Sequence, residues 1–194
     1  MTSFLALITL MAWPVIPLFW IPVHLFTRFF RKIKLLTYIM PLITWLPVAC
    51  LIYLYRDLLL HFKIAFPVII RAAGVILLAA GTGLHVWTGK LLSLRGLIGL
   101  PEVYENMHGR FVAAGAFSIV RHPTYLAHTM MFTGVFFATG VISVGVITVV
   151  DFSVVNLIII PLEERELLNR FGEEYRDYRS KVPKFFPRKS SGVK

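Results

Sequence analysis

The feature that most constrains this chain is a succession of apolar runs, each long enough to cross a lipid bilayer. A helix needs about 20 consecutive apolar residues to span the hydrocarbon core. The first run extends from about Phe4 to Leu25 and carries Pro14, Pro17 and Pro22, which predict kinks. The second extends from about Leu35 to Tyr55, the third from about Ile64 to Trp87. A fourth stretch, Tyr125 to Leu162, has about 38 residues. That is too long for one crossing and predicts a hairpin of two helices turning at Thr139-Gly140. The fold class expected is therefore an all-α integral membrane protein with about five transmembrane helices.

Composition agrees. Of 194 residues, 57% are hydrophobic and 15% charged, with a mean hydropathy of +0.75. A soluble domain of this length leaves too much area exposed to hide that much apolar surface, whereas lipid can cover it. The net charge of +10 would suggest nucleic acid in a soluble protein. Here the cations flank apolar runs, so topology and anionic lipid account for them, and no nucleic-acid partner is expected. The lone cysteine, Cys50, lies inside an apolar run and is expected as a small buried hydrophobe. No Lys or Arg precedes Arg28, so the first run is expected to be a helix rather than a cleaved signal.

The chain reads as one membrane domain over residues 1–194. Residues 1–63 hold two N-terminal helices; residues 64–194 form the core, with a polar interval 88–123, the hairpin 125–162 and a tail 163–194. Gly74, Gly81 and Gly83 suit close helix packing. Arg71 is expected to snorkel and Asp151 to be a buried, hydrogen-bonded carboxyl. Arg28, Arg31, Lys32 and Lys34 form a basic loop without acids, which predicts a cytoplasmic location for it. With five crossings the N-terminus is then outside, and the polar interval and tail share the cytoplasmic face.

Three clusters are candidates for chemistry. Arg121-His122-Pro123-Thr124-Tyr125 stands at the mouth of the fourth helix, with Pro123 pre-set for a helix start. Glu163-Glu164-Arg165-Glu166 stands at the end of the fifth, where acids need a partner such as Arg121, Arg110 or a cationic ligand. The interval Glu102–Phe117 adds Glu105, His108 and Arg110 beside Tyr104 and Phe111. The same residues also admit a plain polar helix mouth and a solvated charged face. None of the six histidines pair at i,i+3 or i,i+4, so no helical metal site is expected. Gly81-Thr82-Gly83 lies inside an apolar run and is no dinucleotide loop.

The order of these pieces resembles the isoprenylcysteine carboxyl methyltransferase family and its phospholipid methyltransferase relatives. The carriers are Arg121-His122-Pro123-Thr124-Tyr125, the apolar hairpin, Glu163-Glu164, Phe171-Gly172-Glu173-Glu174-Tyr175, Tyr178, and Val182-Pro183-Lys184-Phe185-Phe186-Pro187. They cover about Glu102 to Pro187. The resemblance implies S-adenosylmethionine as methyl donor and a lipophilic acceptor from the membrane, an isoprenylated cysteine carboxylate first and a phospholipid amine second. It implies a cytosolic cofactor pocket closed by the C-terminal helix and tail. His122 and Tyr125 are the catalytic candidates it implies. For the cofactor it implies Glu102, His108, Gly109, Arg110, Phe111, Val112, Phe117, His122, Pro123, Tyr125 and Glu163, with no metal. One departure stands out. Where the eukaryotic enzymes have an Arg tied to the acceptor carboxylate, this chain reads Ile158-Ile159-Ile160-Pro161. A membrane sterol or isoprenoid reductase is a rival with a comparable layout. A small transporter or assembly subunit using Arg71 and Asp151 is the non-enzyme rival.

Overall fold

The computed structural model describes residues 2–97 and 111–185. Helices α1 (Thr2–Ala12) and α2 (Val15–Leu25) form the first run, broken at Trp13-Pro14. The break follows from proline, which lacks an N–H and clashes with the preceding turn. A freed carbonyl there is recovered by Trp45, whose Nε1 donates to Met11 O at 2.6 Å. Trp13 Nε1 donates to Asp151 Oδ1 at 3.0 Å, and Asp151 is buried, as the sequence leads one to expect. This bond joins the start of the chain to the hairpin.

Helix α3 (Thr27–Ile33) comes next, then a 3-10 segment (Lys34–Ile39) and α4 (Met40–Leu54). The basic residues expected in a loop thus lie mostly on helix α3, with Arg31 and Lys32 in its last turn, where cations suit the helix dipole. After the short α5 (Arg56–Leu59), α6 (Val68–Leu97) runs for 30 residues. The polar interval therefore begins as helix: residues 88–97 continue α6 rather than leaving it. A short α7 (Ala116–Ile119) leads to α8 (Pro123–Thr139) and α9 (Ile142–Val154). A π turn (Val155–Ile159), α10 (Ile160–Phe171) and α11 (Glu173–Lys181) complete the described chain. The first part of the tail, which begins at Glu163, is helical in two pieces parted at Gly172, where φ is +53°.

Four stretches have the length and apolarity of membrane spans: Thr2–Leu25, Thr27–Leu54, Val68–Leu92 and Ile142–Phe171. The expected fourth helix, α8, has only 17 residues. It packs against α6, α9 and α1 and is the helix most enclosed by protein, so it needs less lipid contact than the others. Apolar side chains on the outside of the bundle are strongly exposed, Val68 and Ile69 at 79% and Leu157 at 75%. Such a surface is suited to hydrocarbon, not water. Cys50 is exposed on this outer surface, contrary to the buried position expected for it; a small thiol is as acceptable to lipid as to a core.

Glycine decides how close α6 and α8 come. A Cβ on Gly134 would lie 2.6 Å from Leu78 N, one on Gly74 2.7 Å from Ala138 N, and one on Gly81 2.9 Å from Ala127 O. Gly83 meets nothing within 4 Å, so its expected packing role is not found. The hairpin turns where the sequence places it: Gly140 caps α8 in the left-handed region at φ +70°. Its turn is clipped to the α5–α6 connection, with Ile64 N donating to Gly140 O at 2.8 Å and Ile142 N to Phe62 O at 3.0 Å. The opposite end of the bundle carries the ionised clusters. There His24 Nδ1 lies 2.8 Å from Glu166 Oε2 and Arg31 3.9 Å from Glu166 Oε1, tying α2 and α3 to α10.

Gly134→Leu forces α6 and α8 apart, and overpacking of this kind costs about 1 to 3 kcal/mol. A clearly lowered thermal midpoint in detergent is the expected readout. Gly83→Ala, with open space around it, is expected to leave that midpoint unchanged.

Candidate functional site

Pro123 opens α8 at the position where a proline's missing N–H costs nothing. His122 precedes it as the capping residue, yet its side chain makes no cap hydrogen bond. The ring turns instead to α10. His122 Nε2 lies 3.0 Å from Glu164 Oε1, so this nitrogen carries hydrogen toward the carboxylate. His122 Nδ1 lies 3.6 Å from Glu163 Oε2. The adjacent pair of acids thus brackets one buried imidazole.

Glu164 collects more than His122. Arg121 Nε donates to its Oε1 at 3.1 Å and Arg121 Nη2 lies 3.0 Å from the same oxygen. Arg179 Nε stands 3.3 Å from Oε2. Three donors from α11 and the mouth of α8 therefore converge on one buried carboxylate. Arg121 then reaches over the site: its Nη1 donates to Val182 O at 2.5 Å and to Arg179 O at 3.1 Å. Its backbone N–H donates to Pro183 O at 2.8 Å. The segment after α11 is strapped across the start of α8 in this way, and Phe185 is buried beside Tyr125, Ile159 and Ile160.

The π turn before α10 has a part in this. A π turn interrupts the regular helical bonding, and such turns recur at functional sites. Here the carbonyl of Asn156, inside the turn, accepts from Lys184 Nζ at 3.3 Å. Partial burial holds the Lys184 ammonium below its usual pKa. A cleft of about 420 Å³ lies alongside, lined by Arg121, Ile160, Pro161, Glu164, Arg165, Leu168, Asn169, Arg179 and Lys184.

Aromatic rings close another side. Tyr178 donates its hydroxyl to Phe117 O at 2.6 Å, and its ring meets Phe111 edge-on at 5.0 Å. Burial pushes the Tyr178 hydroxyl up to about 12, with the Glu163 and Glu164 charges acting the same way and Arg121 against them. It stays a donor at every physiological pH. Phe111 also contacts Phe171 and Tyr175. Tyr175 is 1% exposed, and burial, then the charge of Glu164, hold its hydroxyl protonated.

Two buried polar atoms here make no hydrogen bond with any described residue: Glu163 Oε2 and Tyr175 Oη. One is an anion's acceptor, the other a neutral donor. Buried polar groups are normally paired, so the two are candidate contacts for a ligand's own polar atoms. A cationic nitrogen suits the carboxylate oxygen, and the surrounding aromatic rings also favour a cation.

Of the residues singled out in the sequence, His122, Pro123, Tyr125, Phe111, Phe117 and Glu163 come together at this end. His122 and Tyr125 have ring centroids 5.9 Å apart, as their three-residue spacing predicts. Val112 is half-buried beside Phe111 in the chain and makes no polar contact through its side chain. Glu102, His108, Gly109 and Arg110 lie outside the described residues. The sequence reading gave no role to Tyr175, Arg179 or Lys184. Tyr175 and Tyr178 stand three apart in the sequence, the spacing of one helix face; nothing in the sequence ties Arg179 or Lys184 to α8.

Residues 69–174, more than half of the chain, match the phospholipid methyltransferase family. The chain belongs to that family. Methanethiol S-methyltransferase 1 of Bradyrhizobium diazoefficiens is 33% identical over 98 residues, covering 47% of this chain and 33% of that protein. Methanethiol S-methyltransferase of Pseudomonas deceptionensis is 31% identical over 114 residues, covering 55% and 42%. The cobalt-zinc-cadmium resistance protein CzcN of Cupriavidus metallidurans is 25% identical over 115 residues, covering 54% and 53%. The chain spans a third to about a half of the length of these curated relatives. The family resemblance read from the His-Pro-x-Tyr mouth and the Glu-Glu exit is borne out at this level.

Breaking a buried ion cluster by removing one partner costs roughly 3 to 5 kcal/mol, because the remaining charge is stranded. Glu164→Ala is expected to lower the unfolding free energy by that order, read as a large fall in the thermal midpoint. Tyr178→Phe removes one hydrogen bond to a buried carbonyl and is expected to cost about 1 kcal/mol.

Proposed function

We propose that this chain is an S-adenosylmethionine-dependent methyltransferase that acts at one face of a membrane on an apolar acceptor. The observation that carries the reading is the buried Glu163 carboxylate oxygen, which lies beside His122 and makes no hydrogen bond among the described residues, in the segment matched by the family. S-adenosylmethionine, when bound, supplies an electrophilic methyl group on a sulfonium. Every other requirement falls to the protein. Glu163 accepts the hydrogens of an amino-acid ammonium. Tyr175 donates to a neighbouring acceptor atom. Phe111, Phe117 and Tyr125 offer ring faces to a cation.

Methyl transfer is an in-line displacement, so holding donor and acceptor in register supplies much of the rate. The strap from Arg121 to the carbonyls of residues 179 and 182 rigidifies that register and keeps water out. The site faces the cytoplasm, on the strength of the basic residues Arg28, Arg31, Lys32 and Lys34 at the same end of the bundle. His24 and Arg31 reach Glu166 from that side, which supports this placement.

The acceptor was expected to be an isoprenylated cysteine carboxylate. A carboxylate needs a cation, and the position where the related eukaryotic enzymes hold an Arg is part of an apolar cluster here. Ile159 and Ile160 are buried among Tyr125, Val155 and Phe185. We therefore favour a neutral acceptor. The relatives named for methanethiol support a thiol.

Calorimetry with S-adenosylhomocysteine tests the reading. Saturable binding is expected, weakened about tenfold or more in Glu163→Gln through loss of a charge-assisted hydrogen bond. Absence of binding to the folded wild-type protein sinks it. Labelled methyl transfer to ethanethiol, to a farnesylcysteine analogue and to phosphatidylethanolamine then ranks the acceptors, with ethanethiol expected first.

A further inference from the structure

Two histidines deeper in the bundle have no part in the site just described. His85 on α6 and His128 on α8 have ring centroids 4.7 Å apart with a tilt of 37°. His128 also stacks on Phe132, at 6.4 Å and 14°. The Nδ1 atoms of both rings are buried, and neither has a hydrogen-bond partner among the described residues. A buried, unpaired polar atom is unusual. Two on facing helices, ring against ring, indicate a place made for something that can hydrogen-bond there.

Their position narrows what that is. Tyr125 and His128 lie three apart on α8, so they share a face, and His122 caps the same helix. His128 is six residues beyond His122, about 9 Å of helix rise toward the hairpin turn. On α6, His85 is one turn below Thr88, which is fully buried and donates its hydroxyl to His85 O at 2.9 Å. Among the described residues the Nδ1 atoms of the two rings are left without a hydrogen bond. The glycine contacts that bring α6 and α8 together lie just deeper, at Gly81 against Ala127. The pair therefore lies between the polar end and the hydrocarbon depth of the bundle, and among the described residues neither ring forms an ion pair with a carboxylate.

We propose that the His85–His128 pair is the acceptor subsite, built to hold an apolar thiol and take its proton. This rests on the methyltransferase reading. A neutral imidazole nitrogen accepts a hydrogen bond, and unlike an Arg it makes no demand for a charged partner. A thiol is a poorer nucleophile than a thiolate, so its proton must leave as it attacks. A lone pair of the sulfur bonds the methyl carbon, and the S–H bond, made strongly acidic by that new bond, breaks to give its proton to an Nδ1 atom of the pair while its electrons stay on the sulfur. The bond from that carbon to the donor's sulfonium sulfur breaks, and its electrons stay on the departing sulfur. The subsite selects small, apolar, protic acceptors and gives no purchase to a carboxylate.

The experiment uses the full chain in lipid nanodiscs. S-adenosylhomocysteine is titrated into wild type, His128→Phe and His85→Gln, and affinities within about twofold of each other are expected. Methyl transfer to ethanethiol is expected to fall at least tenfold in kcat/KM in each variant. Independently of turnover, the protein with 15N-labelled histidine is observed by NMR. Adding ethanethiol to the S-adenosylhomocysteine complex is expected to shift the ring nitrogens of His85 and His128 more than those of His61. Unchanged kcat/KM in both variants, or ring resonances that ethanethiol does not move, overturns the subsite while leaving the methyltransferase reading intact. The subsite is also overturned if Zn2+ binds one per chain, is lost in both variants, and prevents ethanethiol from moving the ring resonances. If wild type binds no S-adenosylhomocysteine, the methyltransferase reading fails and takes the subsite with it.

Discussion

One carboxylate organises the polar end of this protein. Glu164 receives Arg121 and His122 from the mouth of α8 and Arg179 from α11. Arg121 is half of a relay, since the guanidinium that meets Glu164 also fastens the carbonyls of residues 179 and 182. A buried ion pair is rarely a large source of stability in itself, because desolvation offsets the attraction. Its value here is geometric. It fixes three helix ends relative to each other. Two adjacent glutamates thus differ: one is consumed by the scaffold, the other keeps a buried oxygen that makes no hydrogen bond among the described residues.

Much of this was legible in the residues. The hairpin turn at Gly140, the buried Asp151, the kinked first run and the face shared by His122 and Tyr125 all follow from spacing and side-chain chemistry. The helix ends were harder. Thr88 and Lys90 look like the start of a loop, yet α6 continues through them, because one polar turn at a membrane surface costs a helix little. Arg28 to Lys34 look like a linker, yet Thr27–Ile33 is helical, since Arg, Lys and Phe are adequate helix formers with no proline to stop them. In the site, sequence spacing reveals partners on one helix but not across helices. Nothing local links Arg121 to Val182, or His85 to His128, 43 positions apart. The absence of an i,i+4 histidine pair was a true statement about each helix and silent about the pair between them.

The close approach of α6 and α8 is what makes that pair. Gly74, Gly81 and Gly134 remove side chains from the seam, so the backbones meet almost directly. Lipid offers little driving force for helices to associate, and small residues let dispersion contacts do it. With the seam this tight, larger groups can meet only where the glycines stop, and the first large groups toward the polar end are His85 and His128. The same packing therefore serves the fold and delivers two imidazoles to one depth.

The π turn at Val155–Ile159 has a further consequence. An α-helix advances about 100° per residue, so an extra residue in one turn re-phases everything after it. Upstream of the turn, Asp151 looks toward Trp13 at the break between α1 and α2; downstream, Glu163 and Glu164 look toward His122. The turn acts as a coupling between two helical faces with different orientations. The number of residues between Asp151 and Glu163 is thereby as constrained as their identities. A lineage of this chain can exchange outward-facing residues of that stretch such as Leu157, but it cannot gain or lose a position without turning the glutamates away from the imidazole they bracket.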